Sequence, residues 1–313
     1  LGVFLNIILL FLIKYKSNSY IGNYKYLLAI FATYDIYLSV LHGILNPVIV
    51  TVGTTFGGAL NSPWKSHYLS SFYFTCFSLP FALMNIHFLY RYWSIARFID
   101  YFSNPKFVFL LSSYPLAQAC LWSTFLNNLA ALETCISQLF RLYFCTWTFS
   151  DYGDESLQKI IDVFYERAHE TIKDGWLMMD HWHDNHLNVD SSIVVLVAFI
   201  IMLGSFSTAS SLATLTYRDI RNTVSLSTKH RSIHRTLLAA VCAQTFVPVV
   251  CVYVPYFIGI YSPFFGVPDY GISKHFSLLI SFFPGWDAAV IIVMIRDYRI
   301  GLLKIINCAR KQK

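Results

Sequence analysis

Charge is what this chain has least of. Only 13% of its 313 residues are Asp, Glu, Lys or Arg, whereas 56% are hydrophobic and 18% aromatic. Soluble domains carry about 25% charged residues. A soluble fold of this length has no room to hide so much apolar surface, so the surplus faces lipid. Other absences narrow the reading further. No Asn-x-Ser/Thr sequon occurs, so N-glycosylation is not expected. No Gly-x-Ser-x-Gly, His-Glu-x-x-His or phosphate-cradling loop is present, and neither catalysis nor a cofactor is expected. There is no internal repeat of a half-chain, the plan of many secondary transporters. The 7 cysteines do not form a disulfide framework.

What is present is a series of apolar runs, each near the roughly 20 residues a bilayer requires. They lie near 26–52, 67–90, 107–126, 192–216, 236–261 and 275–295. A further run, LGVFLNIILLFLI at 1–13, is too short to span and reads as the lower part of a first helix whose start is missing. A cleaved signal peptide is the other reading of such a stretch, but no small-residue cleavage site follows it. The expectation is an all-α membrane protein, a single bundle of seven transmembrane helices over 1–313 with its first helix truncated. It has an outer loop at 127–190 and a tail at 296–313.

Orientation follows from the positive charges. The loops at 14–25, 91–106 and 216–235 and the tail hold 17 of the Lys and Arg residues, and the opposite side holds 6. The first side is read as cytoplasmic, which puts the amino terminus outside and the carboxyl terminus inside. The net charge of +6 is thereby a topology signal and requires no nucleic acid.

The outer segment at 127–190 carries 4 basic and 11 acidic residues. Within it Leu157, Ile160, Ile161, Phe164, Tyr165 and Ala168 recur at helical spacing, with Asp154 placed to cap the start and Gly175 to end the run. The pattern predicts an amphipathic helix with its apolar stripe on the top of the bundle. Cys135 and Cys145, in an oxidising compartment, are candidates to bridge each other or to reach a neighbouring helix top. The run DHWHDNH (180–186) offers His181, His183 and His186 as metal ligands, but solvated loop residues are the simpler account and no metal is expected. In the tail, Ile300, Leu303 and Ile306 share one face and basic residues another. Such a helix lies in the membrane interface, with Cys308 a candidate for palmitoylation.

Two carboxylates lie within the apolar runs. At a rise of about 1.5 Å per residue, Asp35 and Asp287 each sit roughly 13 Å above the inner ends of their helices, and Asn85 about 9 Å above Arg91. Acids inside a membrane are costly and mark function. The expectation is one inner polar cluster of Asp35, Asn85 and Asp287 that biases two packings of the bundle. Two facing carboxylates cannot both stay charged without a cation or a proton between them. Histidines do not build a zinc centre, since His42 and His87 lie at different depths and His67 and His275 at the outer boundary. The outer halves of the third, sixth and seventh helices offer Tyr73, Phe77, Tyr253, Tyr256 and Phe276, a density suited to a small, largely apolar ligand. Between the fifth and sixth runs, Arg218, Arg221, Lys229, Arg231 and Arg235 form a basic surface suited to a protein partner or to anionic membrane lipid.

Arg91 ends the third run within HFLYRYW, at the cytoplasmic edge. MNIHFLYRYW resembles the end of the third helix of nematode chemosensory serpentine receptors of the Str and Srj type. GNYKYLLAIFATYDIYLSVLHGILNP (22–47) is similar to their first inner loop and second helix. HRTLLAAVCAQTFVPVVCVYVP (234–255) is similar to the sixth, and FFPGWDAAVIIVMIRDYR (282–299) to the seventh. The resemblance implies a G-protein-coupled chemoreceptor at the plasma membrane of sensory neurons, including their cilia, that binds a small odorant. It gives Arg91 a role in engaging a heterotrimeric G protein, with Tyr92, Arg231 and Arg235 beside it. The acidic-Arg-Tyr signature of better-known receptors is not present: Tyr90 stands at the acidic position, so any restraint on Arg91 comes from elsewhere. The alternative is a multi-pass small-solute transporter, which should show more charged or interrupted helices.

Overall fold

The computed structural model describes residues 1–17, 21–22, 24–64, 66–76, 79–95, 113, 117, 154–183, 186–223, 227–267 and 271–311. The run at 107–126 apart from residues 113 and 117, the pair Cys135 and Cys145, and Phe77 lie outside the described residues.

Helices dominate: α1 (Gly2–Lys16), α2 (Tyr24–Leu45), α3 (His67–Cys76), α4 (Leu79–Ile95), α5 (Asp154–Ala168), α6 (Val189–Asn222), α7 (Thr228–Pro248), α8 (Val254–Phe264), α9 (Phe276–Met294) and α10 (Arg296–Lys311). Among the described residues, four helical stretches are long and apolar enough to cross a bilayer: Tyr24–Leu45, Phe199–Asn222, Thr228–Phe264 and Phe276–Met294. The third of these joins α7 to α8 through a π-helical turn at Val249–Tyr253, between Pro248 and Pro255. Helix α1 packs against α2 and α9. Asn6 of α1 donates from Nδ2 to the Pro284 carbonyl of α9 at 2.8 Å.

The expectation of an all-α chain needs correction. Strands β1 (Pro47–Val52), β2 (Thr55–Leu60) and β3 (Leu177–Asp180) form an antiparallel sheet in the order β1-β2-β3, and β4 (Trp182–His183) pairs with β5 (His186–Leu187). The second helix therefore stops at Leu45 and does not continue to 52. Asn46 adopts φ 42° and its N–H bonds the His42 carbonyl at 2.9 Å, a left-handed helix ending that Asn tolerates. Pro47 follows and cannot extend the helix. The chain then turns through Gly53, whose φ of 57° fits the first position of a two-residue hairpin loop between Val52 and Thr55.

Side chains of the sheet alternate between its two faces. Val48, Val50, Val52, Ala59 and Met178 pack with Ile160 and Phe164 of α5 and with Trp176 in a small outer core. Ile49, Phe56, Leu60 and Met179 point the other way and join the main core of the bundle. The stripe of α5 thus rests on the sheet, and the sheet rests on the helices. Tyr165, expected in that stripe, is exposed. The helix ends at Ala168, where His169 takes φ 55°, and Gly175 instead turns the chain into β3. The paired glycines of β2 allow this sandwich. A Cβ on Gly57 would lie 2.8 Å from Ile160, and one on Gly58 would lie 2.7 Å from the Phe74 ring of α3.

Candidate functional site

The structure brings Asp35 of α2 and Asp287 of α9 together in the buried centre of the bundle, their carboxyl groups in direct interaction. Gln244 of α7 completes the group, donating from Nε2 to Asp287 Oδ2 at 3.2 Å. A cavity of about 20 Å³ opens beside them, lined also by Met84 and His87 of α4 and by Pro248. Asp35 Oδ2, His87 Nε2 and Gln244 Oε1 are buried there without a hydrogen-bond partner. The space suffices for about one water, which needs two to four polar partners. Asn85 is buried on α4 but does not line this cavity. Its neighbours Met84 and His87 do, because the face of α4 that meets the pair runs through positions 80, 83, 84 and 87. Gln244, through its bond to Asp287, is a member of the cluster that depth alone does not point to. The sequence contains it in AVCAQTFVP, as a polar residue within an apolar run two residues after a cysteine.

The local chain explains why these side chains meet. Pro284 interrupts the hydrogen bonding of α9 one turn before Asp287. Gly285 lets the start of α1 approach, with Gly2 backbone atoms 3.5 Å from where its Cβ would be. On the sixth helix, Pro248 and the π-turn Val249–Tyr253 sit directly between Gln244 and Tyr256. Irregular turns of this kind occur often at functional sites.

At the inner end, Arg91 is buried, 3% exposed, instead of reaching into water. Its guanidinium carbon lies 3.4 Å from the centroid of the Tyr24 ring at the start of α2. Tyr90 stacks on Tyr24 at 5.8 Å, and His87 stacks on Phe31 at 3.9 Å. The restraint that the sequence leaves without an acidic neighbour is thus supplied by an aromatic face. Arg231 donates from Nη2 to the Thr223 carbonyl at 3.1 Å, tying α7 to the end of α6, while Arg235 is exposed and Tyr92 partly buried.

The outer aromatics cluster as well. Tyr73 is fully buried with its hydroxyl 2.7 Å from His42 Nδ1, and Phe276 and Tyr253 are buried in the same extended core. Tyr256 meets Phe74 edge to face at 6.1 Å. Phe56, from a hairpin whose residues look in sequence like a helix end and a loop, joins them. A Cβ on Gly259 would lie 3.2 Å from both the Phe56 and Phe276 rings.

Above this cluster the outer cap is fastened to the helices. Asp180 Oδ1 accepts from Thr55 Oγ1 at 3.1 Å, and Ser191 Oγ of α6 donates to the Asp180 carbonyl at 2.7 Å. His181 Nε2 lies 3.0 Å from the Ile260 carbonyl and Trp182 Nε1 donates to the Phe264 carbonyl at 3.0 Å, both on α8. His181 is buried, not solvated as its loop suggested, and burial pushes its imidazole down to about 4. Among the described residues no group of three or more His, Cys, Asp or Glu is placed to hold a metal. Cys308 is exposed on α10.

The structure thus joins a helical bundle, a buried acid pair at its centre, an arginine held on an aromatic ring at one end and an aromatic cluster toward the other. The chain belongs to the family described as serpentine type 7TM GPCR chemoreceptor Str, which it matches over residues 1–303. It is 24% identical to "Serpentine receptor class r-10" of Caenorhabditis briggsae over 320 residues, 98% of this chain and 87% of the relative. The protein of the same name from Caenorhabditis elegans is also 24% identical, over 317 residues with the same coverage. No solved structure matches the chain.

Proposed function

We propose that this protein is a seven-span chemosensory G-protein-coupled receptor of the plasma membrane, placed in the cilia of sensory neurons, with its amino terminus outside and its carboxyl terminus in the cytoplasm. It binds a small apolar ligand among Tyr73, Phe77, Tyr253, Tyr256 and Phe276 and signals to a heterotrimeric G protein through Arg91, Tyr92, Arg231 and Arg235. The observation that carries the reading is the π-turn Val249–Tyr253. Its last residue belongs to the outer aromatic cluster and its first follows Pro248, which lines the cavity of the acid pair. A ligand that moves Tyr253 or Tyr256 rotates the helix about that turn. The rotation strains the Gln244–Asp287 bond and the packing beneath it, and Arg91 leaves the Tyr24 face for the cytoplasm. Asp35 and Asp287 share a proton in the closed packing, since like charges at such range do not coexist in apolar surroundings.

Membranes containing the protein, its G protein and labelled nucleotide test the proposal against a panel of small apolar compounds. Ligand-dependent nucleotide exchange without solute flux is the expected result. Flux of a compound across the same membranes, with no exchange for any member of the panel, overturns it.

A further inference from the structure

We infer that the elbow between α1 and α10 is a binding site for the phosphate of an anionic lipid headgroup. The last turn of α1 and the first turns of α10 enclose a cleft of about 250 Å³, lined by Tyr15, Lys16, Ser17, Asp297, Gly301 and Lys304 among others. Lys16 and Lys304, on two different helices, both line it, and the two helices pack closely. A Cβ on Gly301 would lie 2.9 Å from Leu12 Cδ2 and 3.0 Å from Lys16 Cγ. Helix α10 therefore lies directly on the stem of Lys16, while Lys16 itself stays exposed. Ser17 Oγ and Tyr298 Oη, 2.8 Å apart, clamp the elbow from the other side. Burial pushes the Tyr298 phenol up to about 12, so it remains an uncharged hydrogen-bonding group.

The charge balance selects an anion. Lys16 and Lys304 line the cleft together with one carboxylate, Asp297. The apolar rim selects a lipid over a free anion. Phe11 and Tyr15 on α1 are 47% and 58% exposed, and Ile300 and Leu303 on α10 are 39% and 53% exposed. Acyl chains fit against that rim while the headgroup enters the cleft. Helix α9 ends at Met294 and α10 turns away from it at Arg296, which puts the cleft at the lipid–water boundary. The inference rests on the membrane crossing alone and is independent of the odorant ligand.

The test uses the full chain in nanodiscs of phosphatidylcholine with and without a tenth of phosphatidylinositol bisphosphate, scored by lipid adducts retained in native mass spectrometry. Retention is expected to fall about tenfold or more in K16A/K304A, given the contribution of each basic residue near an anionic surface. It should return in K16R/K304R and rise in D297N. A control pair of equal charge loss on the cap, K159A/K173A, both exposed, should leave it near the starting value. Equal losses in the two alanine pairs mean diffuse attraction and overturn the site. Occupancy by inorganic phosphate in phosphatidylcholine discs at millimolar concentration, with no preference for the lipid, overturns the assignment to a headgroup.

Discussion

Arg91 and Tyr24 stand 3.4 Å apart, guanidinium over ring, at the point where α4 meets the start of α2. Arg91 Nε and Nη2 are buried without hydrogen-bond partners, so the ring face compensates a charge that would gain hydration by leaving. A desolvated contact of this type stabilises by about 2 kcal/mol. That magnitude suits a reversible restraint, because a few kilocalories separate the populated and minor states of a switching protein.

Removal of the ring should therefore release the arginine. In Y24A, ligand-free nucleotide exchange by the G protein should rise roughly tenfold or more, the factor that about 2 kcal/mol permits. Y24F keeps the quadrupole and should stay near the starting level. Exchange that is the same in Y24A and the unaltered protein, at matched surface expression, would show that Tyr24 does not hold the inactive packing.

The acid pair makes a different prediction, because Asp35 and Asp287 interact directly and belong to separate helices. D35N and D287N should each change thermal stability in detergent. Their combination should depart from the sum by about 1 kcal/mol or more, as residues in one network do. Strict additivity would mean two acids satisfied independently. Q244A should lower the coupling, whereas N85A should leave it unchanged, since Asn85 does not face the cavity.

The bundle was legible in the sequence because lipid imposes one rule: an apolar run of fixed length with its backbone bonded internally. Asp35 and Asp287 could be matched by depth alone. Face, however, depends on the rotation of each helix, so depth alone points to Asn85 and not to Gln244, whose amide meets Asp287. The hairpin escaped for a related reason. Val48, Ile49 and Val50 are as apolar as a helix end, and only Asn46, Pro47 and Gly53 mark the change. The sheet then depends on β3, more than a hundred residues away, a pairing that no local pattern reveals. Similarly, the His181 run looks like a solvated loop until Ile260 is placed against it.

His181 gives the cap a pH dependence whose sign can be worked out. Its imidazole sits at about 4 in the folded protein because burial disfavours the charged form, against an ordinary 6.5 when the loop is released. Between those values the released loop binds a proton that the docked loop does not, so docking weakens as pH falls from 6.5 toward 4. The full loss is at most about 3 kcal/mol. That value already includes the opposing effects of the Ile260 carbonyl and the Asp180 charge, both of which favour the protonated ring. Hydrogen exchange over 177–187 should accelerate across this window in the natural protein. H181Q should flatten the difference, and an unchanged acid response in that variant would assign it to another group.

The cap should also fail by overpacking at a single glycine. Gly57 lies in β2 with Ile160 Cδ1 2.8 Å and Trp176 Cε3 3.3 Å from the position of an added Cβ. Its φ is not in the left-handed region, so alanine is allowed by the backbone and the conflict is with Ile160 of α5 first and the Trp176 ring second. Forcing one methyl into a packed layer typically costs about 1–3 kcal/mol. G57A should therefore loosen α5 from the sheet, seen as faster proteolysis between 154 and 176 with the helical bundle intact. I160V removes the offending Cδ1, and on its own it leaves a small void. Combined with G57A it should restore much of the protection, because the two changes act on the same space and do not add. If the double variant is cleaved as fast as the product of the two single effects, α5 does not rest on β2 where the packing places it.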